Sequence, residues 1–261
     1  MSNLKIIANT KGGVGKSTFS NHILPVVLQN SGKKIVIVEV DGSNDTQLSN
    51  TNLEINNNSD SIDVIKNLRF DVMTEENTIY IIDVGGSDDT KKLLKKLSET
   101  NLEADFYIPT NDDWEQFHNI KETLKRVQKC NHSSINLVLN RCESLDQKSI
   151  KKQFLNLYSK NEKMEEKIVE IEGSFDETFY IPNIPILSMI KGRYKQFLLD
   201  SLKTQKQFKK DFVENEKSIL AKKDKVKYMK LLDDEEIADK IINLENVINV
   251  IFEDHLNIEG K

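Results

Sequence analysis

Short apolar runs alternate with stretches of helical spacing along most of the chain. The runs at Leu4–Ala8, Lys34–Val40, Ile79–Asp83, Asp105–Pro109 and Ile135–Asn140 are apolar through their centres rather than alternating. That pattern predicts strands buried on both faces of a parallel sheet. A weaker run at Lys167–Ile171 and a last one near Phe179–Leu187 complete the set. Helical spacing fills Lys16–Asn30, Ser61–Phe70, Thr90–Glu99, Asp113–Lys129 and Leu145–Tyr158. The order predicts an α/β fold, a wound and mainly parallel sheet flanked by helices. Beyond Pro185 the chain reads as all-helical. Tyr194, Phe197, Leu198, Leu202, Phe208 and Phe212 recur at helical spacing, as do Ile237, Ile241, Leu244, Ile248 and Ile251. Asn56–Asp60 reads as a polar loop rather than a linker. The expected organisation is a single domain over 1–261, with an α/β core at 1–190 and a helical C-terminal part at 191–261.

Residues 9–18, NTKGGVGKST, follow a strand and open a helix, which is the setting a phosphate-binding P-loop requires. Gly12, Gly13 and Gly15 allow a tight turn that aims N–H groups of residues 12–18, Val14 and Thr18 among them, at phosphate oxygens. The helix beginning near Lys16 adds its positive end. Lys16 supplies charge for the β- and γ-phosphates, and Ser17 a hydroxyl for Mg²⁺. Two features depart from the strict motif. Thr10 stands where glycine is usual, and a second lysine, Lys11, precedes the glycine pair.

Asp83 closes an apolar run, so it is expected beside this loop, holding Mg²⁺ through water. Gly85 and Gly86 follow as a candidate switch that senses the γ-phosphate. In VIVEVDGSND, residues 36–45, Asp41 is placed to position an attacking water and to help hold the metal, with Asp45 near it; a simple Asp41-Gly42 turn is the plainer alternative.

Taken together, KGGVGKST resembles the deviant Walker A loop of the ParA/MinD family of P-loop ATPases. VEVDGSND resembles that family's switch I, YIIDVGGS its Walker B and switch II, and LVLNR its adenine-contacting strand. The resemblance implies ATP and Mg²⁺ as cofactors and Asn140 at the adenine. It also implies a role for each lysine: Lys16 acts within its own subunit, and Lys11 reaches across an ATP-dependent homodimer to the partner's nucleotide. Lys11, Lys16 and Asp41 are then the catalytic set, for slow hydrolysis to ADP and phosphate stimulated by a partner protein, ParB-like or centromere-binding. Glu39 and Gly42 replace the usual Asp and Pro of switch I. The short segment before Asp83 and the VGGS switch II resemble plasmid-stability and conjugation-associated branches, StbB-like or TraL-like. The implied function is positioning or partition of plasmid DNA or another cargo. An ATP-binding metabolic enzyme, a MinD-like or conjugation-associated positioning ATPase, and a scaffold that binds ATP without turnover are the alternatives. NRCE at 140–143 is not the N-K-x-D that reads guanine, which disfavours a GTPase.

Composition decides little about chemistry but bears on partners. The net charge of −5 argues against whole-surface attraction to nucleic acid, yet the charge is uneven. Residues 191–230 hold 13 Lys/Arg against 5 Asp/Glu, and residues 231–261 hold 2 against 9. Lys203, Lys206, Lys210, Lys222, Lys223 and Lys227 form a candidate patch for non-specific, salt-sensitive DNA binding; a solvated helix face accounts for them equally well. The acidic C-terminal helix is ill suited to an anionic membrane. Cys130 and Cys142 read as ordinary free, semi-buried thiols of a reducing compartment, and no leader or spanning run is visible. The expected location is the cytoplasm, on the nucleoid if the chain binds DNA.

Overall fold

The computed structural model describes residues 2–40, 53–57, 61–113, 116–158 and 173–253. Among the described residues seven strands form one sheet: β1 (Leu4–Ile7), β2 (Lys34–Val40), β3 (Glu54–Asn57), β4 (Thr78–Val84), β5 (Ala104–Thr110), β6 (His132–Cys142) and β7 (Glu177–Pro182). Their order is β3-β2-β4-β1-β5-β6-β7, and every pairing is parallel. β1, β4 and β5 are buried along their whole length, as continuous apolar runs require. The centre of the core is Ile6, Val38, Ile82, Phe106 and Leu139, all from neighbouring strands.

The strand β3 was not foreseen. It takes in Asn56 and Asn57, which read as loop in the sequence. The reason is its place at the sheet edge, where among the described residues one side has no pairing strand and polar residues are tolerated. The last strand stops at Pro182, before the Leu187 expected to end it. The run Lys167–Ile171 lies outside the described residues.

The described chain divides into two compact units, one up to Ile184 and one from Pro185. The second contains two long helices, Leu198–Ala221 and Lys225–Ile251, joined by a tight turn and packed on each other. Asp224 starts the second of these by accepting a hydrogen bond from the Lys227 amide at 3.1 Å. Ile241, Leu244 and Ile248 of the apolar stripe are buried, whereas Val226 is 81 % exposed near the turn. Among the described residues no helix is long and apolar enough to cross a membrane.

Candidate functional site

The loop 9–15 leaves the carboxyl end of β1, between β4 and β5. The chain moves to one side of β1 for β2–β4 and to the other for β5–β7, so this is the switch point where wound sheets bind ligands. Asn9 fixes the loop's start. Its Nδ2 donates to the Pro109 carbonyl at 2.7 Å, and its Oδ1 accepts from the Lys11 amide at 2.9 Å. Thr10, the departure from glycine, is buried; its amide donates to Thr123 Oγ1 at 3.1 Å.

Gly13 and Gly15 sit at φ 77° and 98°, where a side chain is strained. Gly15 is doubly constrained, because a Cβ there would collide with the Asn140 carboxamide. Asn140 closes the continuous buried run of β6, before exposed Arg141, and its Nδ2 donates to the Val14 carbonyl at 3.1 Å. Val14 itself is fully buried, while Gly12 and Gly13 are exposed. A helical run over 16–31 follows, with Ser17 exposed and Thr18 half-buried on its first turn. Lys16 is buried and folds back along the loop. Its Nζ donates to the Lys11 carbonyl at 2.9 Å and the Asn9 carbonyl at 3.4 Å. Lys11, just before the glycine pair, is half-buried.

Two carboxylates meet at the ends of β2 and β4. Glu39 and Asp83 stand opposite each other in register, 5 % and 6 % exposed. Asp83 Oδ1 has no hydrogen-bond partner. Burial pushes the Asp83 carboxyl up to about 6; the Ser17 hydroxyl opposes this, the Glu39 charge adds to it, and the Lys16 charge and the Ser20 hydroxyl oppose it further. A π-helical turn, Phe19–Ile23, brings Ser20 and Asn21 to the same place. Ser20 Oγ donates to Asn21 Oδ1 at 2.7 Å, and Asn21 Nδ2 to Glu39 Oε1 at 2.9 Å. This donor set fits Mg²⁺. A buried carboxylate oxygen lacks a partner beside a hydroxyl, and Mg²⁺ normally takes one or two carboxylates with the rest of its shell from water and phosphate. Among the described residues no group of three or more His, Cys, Asp or Glu could hold a metal alone.

Beyond Asp83, the Gly85 amide donates to the Val40 carbonyl at 2.8 Å, and Gly86 precedes the helix Ser87–Leu97. Fully buried Thr90, on that helix, reaches both sides of the site. Its Oγ1 lies 3.2 Å from the Asn9 carbonyl and 3.1 Å from the Gly85 carbonyl.

The structure therefore brings Lys11, Gly12, Gly13, Val14, Gly15, Lys16, Ser17, Thr18, Asp83, Gly85, Gly86 and Asn140 to the carboxyl edge of one sheet. Asp41, Gly42 and Asp45 lie outside the described residues. Asn9, Ser20, Asn21, Thr90 and Thr123 were missed. The pair Ser20-Asn21 left a trace, as polar residues inside the apolar stretch FSNHILPVVL.

The six lysines of the candidate patch lie on the two long helices and their turn, all exposed. Two are paired within the hairpin: Lys206 with Glu245 at 2.6 Å and Lys227 with Asp224 at 3.3 Å. Neighbouring Lys209 likewise meets Glu235 at 2.9 Å and Asp239 at 3.0 Å. Part of the charge asymmetry thus closes on itself.

A search of curated proteins returns no match. Among solved structures the chain is similar to the MinC:MinD cell division protein complex of Aquifex aeolicus, with TM-score 0.51, 18% identity, and 76% of this chain and 88% of that one covered. It is also similar to apo McdA of Cyanothece (0.48, 14% identity, 73% and 89% covered). A third is cobyrinic acid a,c-diamide synthase of Mycobacterium smegmatis, solved with an ATP analog and magnesium (0.43, 14% identity, 62% and 84% covered). The first of these likenesses concerns the fold alone. The family described as CobQ/CobB/MinD/ParA nucleotide binding domain matches residues 5–193, most of the chain and all of the loop, strand ends and switch just described, and the protein belongs to it.

Proposed function

We propose that this protein is an ATPase of the ParA type, an ATP-dependent dimerising switch that positions plasmid DNA or another cargo. The observation that carries the reading is the buried, unpartnered Oδ1 of Asp83 beside Ser17 and Lys16. An ionised carboxylate is costly there unless a cation joins it. Ser17 and Asp83 would hold Mg²⁺, which, when bound, neutralises charge on the β- and γ-phosphates. Lys16 engages phosphates of its own subunit's nucleotide, and the backbone of 12–18 cradles them. Lys11 serves the nucleotide of a second subunit, adding a cation where charge develops in transfer. Asp41 positions water, Asn140 meets the adenine, and Gly85-Gly86 responds to the γ-phosphate.

Hydrolysis is slow and raised by a partner of ParB-like or centromere-binding kind. The short segment before Asp83 and the VGGS switch II favour a plasmid-stability or conjugation-associated role. DNA binding in the ATP state, on the nucleoid, rests on Lys203, Lys210, Lys222 and Lys223, since Lys206 and Lys227 face acidic partners inside the hairpin.

The test is ATP binding and phosphate release with and without Mg²⁺. The intact chain binds ATP more tightly with Mg²⁺ and releases phosphate slowly. Lys16→Ala lowers turnover roughly 100-fold or more, and Asp83→Ala removes the Mg²⁺ dependence of binding. A chain that binds no ATP, or an Asp83→Ala variant that keeps the full Mg²⁺ response, contradicts the reading.

A further inference from the structure

We infer that Thr90 is a positioning residue that couples the phosphate-loop lysine to the switch after Asp83, through one hydroxyl proton with two possible acceptors. The inference rests on the nucleotide reading above and extends it to how occupancy is transmitted.

A threonine hydroxyl carries one proton. Thr90 Oγ1 lies at donor distance from two carbonyls, Asn9 at 3.2 Å and Gly85 at 3.1 Å, so at any moment it donates to one of them. The two acceptors belong to the two parts of the site. Asn9 opens the phosphate loop; Gly85 opens the switch. Thr90, Asn9 and Gly85 are all buried, so bulk water has no ready access to either carbonyl.

The Asn9 carbonyl has a second donor, Lys16 Nζ at 3.4 Å. While Lys16 serves Asn9, the Thr90 proton is available to Gly85 and ties the switch to the helix Ser87–Leu97. When Lys16 turns to a phosphate, Asn9 loses that donor. A buried carbonyl left without a donor is costly, which draws the Thr90 proton to Asn9 and releases Gly85. The remaining ties do not replace this link. Asn9's own side chain is committed to Pro109 and Lys11, and the Gly85 amide holds only Val40. Occupancy at Lys16 is thus read at Gly85 without any γ-phosphate touching the switch.

Amide hydrogen exchange of the segment 84–90 tests this in the full chain, with ADP and Mg²⁺ as the probe, because ADP engages Lys16 but has no γ-phosphate to contact the switch. Nucleotide binding is measured in parallel. In the intact chain and in Thr90→Ser, ADP speeds exchange in 84–90. In Thr90→Val, ADP still binds and the difference is lost. Lys16→Ala supplies an independent arm without nucleotide: its segment 84–90 exchanges at the rate of the ADP-bound intact chain. An unchanged ADP response in Thr90→Val overturns the inference, as does a Lys16→Ala chain whose 84–90 exchange matches the nucleotide-free intact protein. Should Thr90→Val fail to fold, the Lys16→Ala arm decides. Should ADP not bind the intact chain, the nucleotide reading fails, and the Lys16→Ala arm still decides the coupling.

Discussion

Asp83 stores much of the site's electrostatic cost in one side chain. Its carboxyl is raised to about 6 from an ordinary 3.8, mainly by burial. A carboxyl raised on folding binds its proton more tightly in the folded chain than in the unfolded one. Its contribution to stability is therefore complete below about pH 4 and is lost as pH rises through about 6. Asp83→Asn removes that loss. In urea unfolding of the nucleotide-free chain, the variant is more stable than the parent at pH 7 by on the order of 3 kcal/mol, and the gain vanishes by about pH 4. A variant no more stable at pH 7 would show that the carboxylate is already compensated. The cysteines carry no such role. Burial pushes both Cys130 and Cys142 up to about 11, so they stay protonated and inert at neutral pH.

At the scale of elements, strands bring single residues together from distant parts of the sequence. The buried end opposite the phosphate loop shows the cost of doing so with charges. Lys5 on β1 meets Asp105 on β5 at 2.7 Å, both side chains 2 % exposed. Asp105 also accepts from the Ser2 amide at 3.1 Å and from Ser134 Oγ at 2.8 Å. Asp105→Ala leaves Lys5 charged and buried and costs about 3–5 kcal/mol in urea unfolding, whereas a paired Lys5→Met, Asp105→Leu replacement costs much less. Equal losses in the two variants would contradict the pairing argument. The same long-range logic explains what was legible beforehand. β1, β2, β4, β5 and β6 show as continuous apolar runs because both their faces are covered. β3 does not, because an edge strand needs no such run. The glycines, both lysines and Asp83 were legible from residue type and position after a strand. Asn9, Thr90 and Thr123 were not, since what they do depends on which carbonyl or amide the fold sets beside them, 81 residues away for Asn9 and Thr90 and 113 for Thr10 and Thr123. Asn140 was foreseen as an adenine contact, but its tie to Val14 and its closeness to Gly15 exist only in the folded sheet.

At the scale of the whole molecule, the account concerns two copies of the chain. One lysine, Lys16, is sunk in its own loop, bound to the Lys11 and Asn9 carbonyls. The other, Lys11, is half-buried beside the glycine pair. In the proposed dimer, Lys16 serves the subunit's own phosphates and Lys11 those of the second subunit. On that proposal dimerisation follows nucleotide state, and a cargo surface on the hairpin would be presented twice. The most direct test is the mass of the protein in solution, by sedimentation equilibrium, with ATP and Mg²⁺, with ADP and Mg²⁺, and without nucleotide. The account predicts a dimer with ATP alone, and a Lys11→Ala chain that binds ATP yet stays monomeric. A mass indifferent to nucleotide, or a Lys11→Ala chain that dimerises with ATP as the parent does, would contradict it.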